Sequence, residues 1–106
     1  MAFKYNGRAD NGASFKLAKT LAAEVFAHIA DELSKLGRVD TASAWVNDKR
    51  LMCTPWGTVF VIINNPKRAG VFYNGQPFEA GSGEEAFQKL KAAHDSECVN
   101  PAHVTA

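Results

Sequence analysis

The 106-residue sequence has only two cysteines and no long apolar run. Two cysteines are too few for the disulfide framework of a small secreted protein. The first residues contain no apolar segment of the kind that a signal peptide requires. The longest uninterrupted apolar run spans residues 59–63, whereas a membrane-spanning helix needs about 20 apolar residues. These absences predict a cytoplasmic protein with reduced thiols and no membrane insertion.

An excess of charge of one sign is also missing. The chain has 12 Lys and Arg residues and 11 Asp and Glu residues, a net charge of +1. No overall field therefore favours nucleic acid or acidic lipid. The sequence contains no G-x-S-x-G, P-loop, G-x-G-x-x-G, H-E-x-x-H or C-x-x-C motif. We therefore predict no catalytic residue and no cofactor, and we favour a binding protein over an enzyme.

The composition is that of an ordinary globular protein. Hydrophobic residues make up 46% of the chain and charged residues 22%, and this length supports one domain. Residues 1–13 and 97–106 are predicted to be loose arms of that domain, because chain ends are often poorly ordered.

A long amphipathic helix is predicted over residues 14–36. Apolar side chains recur there at steps of three and four residues, as on the buried face of a helix. They are Phe15, Ala18, Ala22, Val25, Ile29, Leu33 and Leu36. Ser14 is placed to cap the first free N–H groups, and Gly37 to adopt the left-handed conformation that often follows a helix.

A short helix is predicted over residues 83–94. The sequence Ser82-Gly83-Glu84-Glu85 has the S-x-x-E pattern of a capping box. In that motif the Ser82 hydroxyl accepts the N–H of Glu85, and the Glu85 carboxylate reaches back to the N–H of Ser82.

The segment between the two helices has the composition and turns of an antiparallel sheet. Strands are predicted at residues 41–46, 50–54, 58–64, 71–73 and 76–78, separated by turn signals such as Asn74-Gly75. Residues 58–64 are apolar through their middle, which predicts a central strand buried on both faces. The whole chain is therefore predicted to be an α+β fold. A meander of four to five strands carries both helices on one face.

A basic corner is the first candidate site. Alternate turns of a meander lie at the same end of the sheet, so two turns carrying cations would meet. The cations are Lys49, Arg50, Lys67 and Arg68. Such a patch suits phosphates or an acidic protein surface. The alternative is that these residues only make exposed turns soluble.

An aromatic end is the second candidate site. Trp56, Phe72 and Tyr73 lie at or beside two turns that share the opposite end of the meander. Tryptophan and tyrosine are favoured anchors at protein interfaces. The alternative is that Trp56 folds over the edge of the sheet and covers the core.

Histidine and cysteine residues form no recognisable metal motif. His94, Cys98 and His103 lie near one another in the sequence and Cys53 lies elsewhere, and this spacing matches no standard zinc pattern. No metal is therefore predicted. His28 lies beside the apolar stripe of the long helix, which predicts a histidine at the edge of the core that is bonded to a neighbour.

A homodimer is predicted from the length and the small residues of the first helix. The helix would extend beyond a six-residue strand, and alanines would let another helix approach closely. These alanines are Ala18, Ala22, Ala23, Ala27 and Ala30. A two-fold dimer is the commonest closed assembly. The alternative is that residues 1–13 or 97–106 fold back and cover the overhanging end of the helix.

Together these observations predict a small non-enzymatic module that binds another protein. An inhibitor or accessory factor, of the kind that phages and mobile elements encode, would fit. The alternative is a nucleic-acid-binding protein that uses the basic corner formed by Lys49, Arg50, Lys67 and Arg68.

Overall fold

A five-stranded antiparallel sheet with two helices on one face makes up the computed structural model, which describes residues 12–99. The elements, in chain order, are α1 (Gly12–Ser34), β1 (Asp40–Thr41), β2 (Lys49–Thr54), β3 (Gly57–Ile62), β4 (Ala69–Tyr73), β5 (Gln76–Ala80) and α2 (Gly83–Val99). The strands lie in the sheet in the same order as in the chain. The predicted α+β meander is therefore confirmed.

Helix α1 begins and ends two residues earlier than predicted. Ser14 consequently lies within the helix and not at the position that precedes it. After Ser34 the chain continues in a tighter turn, in which the N–H of Leu36 donates to the carbonyl of Leu33 at 3.0 Å. Because such a turn satisfies a terminal carbonyl by itself, no left-handed residue is needed.

Gly37 has a different role from the one predicted. Among the described residues the glycines with positive φ are Gly57 and Gly75, so Gly37 is not left-handed. A Cβ atom at Gly37 would lie 3.0 Å from Cγ of Pro55. This glycine therefore lets the end of α1 lie against the turn between β2 and β3.

The strand predicted over residues 41–46 is mostly wrong. Strand β1 ends at Thr41, and the ring of Trp45 packs against Phe26 of α1 with 6.1 Å between ring centroids. A turn follows, in which Asn47 and Asp48 have φ values of 54° and 64°. Packing of Trp45 on the helix thus takes this segment out of the sheet.

The prediction that β3 is buried on both faces is also wrong. β3 is the central strand, but Val59 and Val61 are fully buried whereas the intervening Phe60 is 38% exposed. Both helices pack on the face that carries the two valines. The other face of the sheet has no helix over it within residues 12–99.

The core lies between the sheet and the two helices. Its fully buried larger side chains come from both layers and include Val25, Ile29, Leu33, Met52, Val59, Val61, Val71, Tyr73 and Leu90. The helices touch at Gly83, where a Cβ atom would lie only 2.6 Å from Cβ of His28. The Glu24 carboxylate of α1 also accepts the N–H of Gly83, at 3.2 Å.

Helix α2 starts as predicted but runs five residues past the predicted end at His94. The capping box is confirmed in part, because the Ser82 hydroxyl accepts the N–H of Glu85 at 3.1 Å. The Glu85 carboxylate reaches the N–H of Gly81, at 2.9 Å, and not that of Ser82 as predicted. His94 continues the helix because its ring stacks on Trp56.

The structure describes only small parts of the segments predicted to be loose arms. Residues 12–13 belong to α1 and residues 97–99 belong to α2. The remaining parts of that prediction, residues 1–11 and 100–106, lie outside the described residues. Neither helix of residues 12–99 has the length and apolar character needed to cross a membrane.

Adjacent alanines of α1 provide a matched test of this packing. Ala22 is fully buried in the core and Ala23 is exposed. We expect Ala22→Glu to lower the free energy of unfolding by on the order of 3 kcal/mol, because it buries a carboxylate. Ala23→Glu should change it by less than about 0.5 kcal/mol. Urea denaturation followed by circular dichroism measures both, and equal effects would contradict the orientation of α1.

Candidate functional site

The two turns of the predicted basic corner do lie at the same end of the sheet. The N–H of Ile63 donates to the carbonyl of Asp48 at 2.8 Å, which joins the two turn regions. Arg50, however, faces the helices. Its Nε donates to the carbonyl of Ala42 at 2.8 Å, and its guanidinium lies 4.4 Å from the centroid of the Phe26 ring.

Arg68 is held by carboxylates of the same chain. Its Nη1 lies 3.3 Å from Oε2 of Glu85 and its Nε lies 4.0 Å from Oε1 of Glu79. Lys49 and Lys67 are exposed, and neither forms a salt bridge within the part of the chain that the structure describes. Two of the four cations are therefore engaged in intramolecular contacts, and partner binding by this corner stays a prediction.

Trp56 of the predicted aromatic end covers the core, which is the alternative that the sequence left open. Its indole stacks on the ring of His94, 4.1 Å between centroids, and on Phe87, 5.8 Å between centroids. Tyr73 is fully buried beneath it. The Tyr73 hydroxyl donates to the carbonyl of Trp56 at 3.2 Å and lies 3.1 Å from Nδ1 of His94. Phe72 lies on the opposite face of β4 from Tyr73.

A stability comparison tests this structural role of Trp56. We expect Trp56→Ala to lower the free energy of unfolding by about 2–4 kcal/mol, because it removes a stacked ring from the core edge. Phe60→Thr, on the other face, should cost less than about 1 kcal/mol, because threonine suits a strand. Thermal and urea denaturation measure the two losses. Similar losses would contradict the assignment of Trp56 to the core and of Phe60 to the surface.

The histidine and cysteine residues are dispersed. Cys53 is exposed on β2, and the side chain of Cys98 and all of His103 lie outside the described residues. His28 is half-buried, with Nε2 3.9 Å from Oε2 of Glu32, as expected of a histidine at the core edge. Among the described residues no three His, Cys, Asp or Glu side chains are grouped so that they could hold a metal ion.

Glu85 is the electrostatic link between α2 and the end of the sheet. Besides the N–H of Gly81, it contacts Nζ of Lys89 at 3.1 Å and the guanidinium of Arg68. The bond from Gly81, and then the Lys89 ammonium, hold the pKa of Glu85 below its ordinary value. Arg68 is thereby part of a mixed-charge cluster and adds little to a cationic surface.

The lowered pKa of Glu85 predicts a pH-dependent contribution to stability. The ionised carboxylate stabilises the fold above the ordinary pKa of 4.5, and this is lost as the pH falls through the lower pKa of the folded state. We expect Glu85→Gln to reduce the free energy of unfolding at about pH 7, and the deficit to shrink below about pH 4. Urea denaturation across this range measures it.

Glu84→Gln is the matched control, since it removes a neighbouring charge from the same exposed first turn of α2. It should lack the pH-dependent deficit, because Glu84 takes no part in the hydrogen bond from Gly81. A deficit for Glu85→Gln that stays constant down to about pH 3 would contradict the proposed role of its charge.

A row of apolar side chains crosses the face of the sheet opposite the helices. Leu51, Phe60, Phe72 and Pro77 are successive register partners on β2, β3, β4 and β5. Phe60 is 38% exposed, Pro77 is exposed, and Leu51 and Phe72 are half-buried.

The next row of register partners combines charge and an aliphatic side chain. It consists of Lys49, Ile62, Gly70 and Glu79. We call the two rows together the open face. Its middle is apolar, one edge carries a cation and the other edge carries an anion.

Shallow depressions flank the central phenylalanine pair of the open face. One is lined by Lys49, Phe60, Ile62 and Phe72. The other is lined by Thr58, Phe60, Phe72, Asn74 and Gly75. The two rings therefore form a ridge with a recess on each side, which suits the insertion of apolar side chains from a partner.

Sequence reasoning singled out only Phe72 and Lys49 from this surface. In β3 the residues of both faces are apolar or β-branched, so alternation between core and surface is hidden. The polar neighbours Thr58 on β3 and Lys49 on β2 are the available signals, because each marks its own side of the strand as exposed. Because alternate residues of a strand share a face, Thr58 and Lys49 together would have predicted that Phe60 and Leu51 are on the same surface.

The chain matches no known family, and no curated protein or solved structure is similar to it.

Proposed function

We propose that this protein is a protein-binding module and that the open face is its recognition surface. The observation that carries the proposal is the row formed by Leu51, Phe60, Phe72 and Pro77 on the face opposite both helices. An antiparallel sheet with one solvated face normally presents polar side chains there. Contiguous apolar side chains on a surface mark sites of interaction.

Charge favours a protein over a nucleic acid as the partner. Exposed aromatic rings on a sheet can stack on bases, but such surfaces also carry cations that neutralise phosphates. In the rows that define the open face the one cation is Lys49, and the other edge carries the carboxylate of Glu79, which also meets Arg68. Arg50 and Arg68 are engaged within the chain, which leaves the nucleic-acid alternative with Lys49 and Lys67.

The low cysteine content and the lack of catalytic motifs fit a cytoplasmic inhibitor or accessory factor. Such a protein acts by occupying a surface of its target, and an apolar row with a polar rim is the usual design of that kind of interface. The Phe60 and Phe72 pair would supply the buried centre, and Lys49 and Glu79 the rim.

Photo-cross-linking tests this proposal. A benzophenone amino acid replaces Phe60 in the full chain, and the matched control carries it at the exposed Ala23 of α1. After irradiation in a lysate of the source cells, we expect protein adducts from position 60 but not from position 23. Nuclease treatment should leave these adducts unchanged. Adducts that nuclease removes, or equal labelling from both positions, would contradict the proposal.

A further inference from the structure

We infer that the partner of the open face is a second copy of this chain. The inference rests on the proposed function, since it concerns the same surface. It follows from the order of side chains within the row Lys49, Ile62, Gly70 and Glu79. From β2 to β5 this row carries a cation, a large apolar side chain, a glycine and an anion. If a second copy of the row is laid over it in the opposite order, each cation faces an anion and each large side chain faces a glycine.

A two-fold axis that runs parallel to the strands, above the open face and midway between β3 and β4, generates the dimer. Rotation about this axis lays β3 of one copy over β4 of the other and β2 over β5. The rotation does not change the position of a residue along the strand direction, so each row faces the same row of the second copy. Face-to-face sheets pack in this aligned way, about 10 Å apart, with side chains that interdigitate.

Charge complementarity follows directly from that rotation. Lys49 of each copy lies over Glu79 of the other, so two opposite-charge pairs close the edges of the interface. Lys49 forms no salt bridge within the described part of its own chain, so it is available. The side chain of Glu79 is 35% exposed on the same face, and its Oε1 also lies 4.0 Å from Nε of Arg68 of its own chain. Opposed pairs of this kind fix the register of an interface.

Shape complementarity follows from the same superposition. Ile62 of one copy lies over Gly70 of the other, a buried position that has no side chain to oppose the larger one. Phe60 lies over Phe72, which brings together the ridges at the centre. Leu51 lies over Pro77 at the margins.

The area predicts a weak dimer. Four strands about 4.8 Å apart and about 20 Å long give a planar footprint of roughly 380 Å² per copy. From both copies this is roughly 760 Å², which is below the roughly 1,200 Å² of standard specific complexes and in the range of weak encounters. We therefore expect dissociation in the micromolar range, so association must be measured up to several hundred micromolar.

This surface differs from the helical one expected from the sequence. Ala18 and Ala22 are fully buried in the core of the same chain, so the alanine stripe of α1 is not available along its length. Ala23 and Ala27 remain exposed and provide controls for any helix-mediated dimer.

Sedimentation equilibrium with charge-reversal variants tests the dimer. The wild-type chain should rise from 11.5 kDa toward twice that mass with concentration. In a dimer of either the Lys49→Glu or the Glu79→Lys variant, both edge pairs bring together two charges of the same sign. Each substitution should therefore weaken association by at least about tenfold. In an equimolar mixture, both edge carboxylates of the first variant face the two edge ammonium groups of the second. The mixture should therefore regain the wild-type affinity, and a mixture that stays monomeric would overturn the arrangement.

Glu79 also accepts a hydrogen bond from Asn64 at 3.3 Å, so Glu79→Lys removes a contact within the chain as well as one in the dimer. Phe60→Glu disrupts the proposed interface without removing that hydrogen bond. This variant should be monomeric with an unchanged circular dichroism spectrum. Ala23→Glu should dimerise like the wild type. A wild-type mass that stays at 11.5 kDa, or a dimer lost with Ala23→Glu but not with Phe60→Glu, overturns the inference.

The cross-linking experiment separates this inference from the proposed function. An adduct of twice the chain mass from position 60 supports the second copy. If the chain is monomeric but position 60 labels another protein, the dimer fails and the protein-binding function stands. If position 60 labels neither a second copy nor another protein, both the dimer and the protein-binding function are contradicted.

Discussion

Close contact between α1 and α2 at Gly83 determines how the sheet can be covered. A Cβ atom there would lie 2.6 Å from Cβ of His28, so the start of α2 lies directly against α1. The Glu24 carboxylate of α1 also accepts the N–H of Gly83, which stabilises the first turn of α2. The two helices therefore lie side by side on one face. The other face must be exposed to solvent or meet something outside residues 12–99.

Because both helices pack on one side of the sheet, each strand residue faces either the core or the open face. Because successive side chains alternate between faces, residues such as Val59 and Val61 enter the core and Phe60 is directed to the open face. It also explains why Arg50 and Lys49 separate although they are neighbours in the chain. The former lies against Phe26 of α1, whereas the latter borders the apolar row.

Electrostatic contacts within the chain reduce the cationic character that the sequence indicates. Arg68 meets Glu79 and Glu85, and Lys89 meets Glu85 as well. The carboxylates of β5 and α2 thus offset the cations of the turn before β4. The open face then has an apolar centre, with Lys49 at one edge and at the other edge Glu79, whose charge Arg68 partly offsets. Such a surface suits a protein better than a polyanion.

Local patterns in the sequence were sufficient for the secondary structure that depends on neighbouring residues. The helical spacing of α1, the Ser82 cap, the Asn74-Gly75 hairpin and the order of the meander are of this kind. The expectation for residues 41–46 was wrong because Trp45 is drawn to Phe26, which is distant in the sequence. Likewise, α2 passes His94 because Trp56 stacks on it.

The sequence by itself therefore determined the fold class, the strand order and the nature of the turns, because these follow from periodicity and from residues close in the chain. Only the tertiary structure decided which apolar residues form the core and which form a surface. In β3 both faces are apolar or β-branched, so the pattern of residues 57–62 does not distinguish them. The contact of the two helices on one side of the sheet makes that distinction, and with it places Phe60 and Phe72 on the open face.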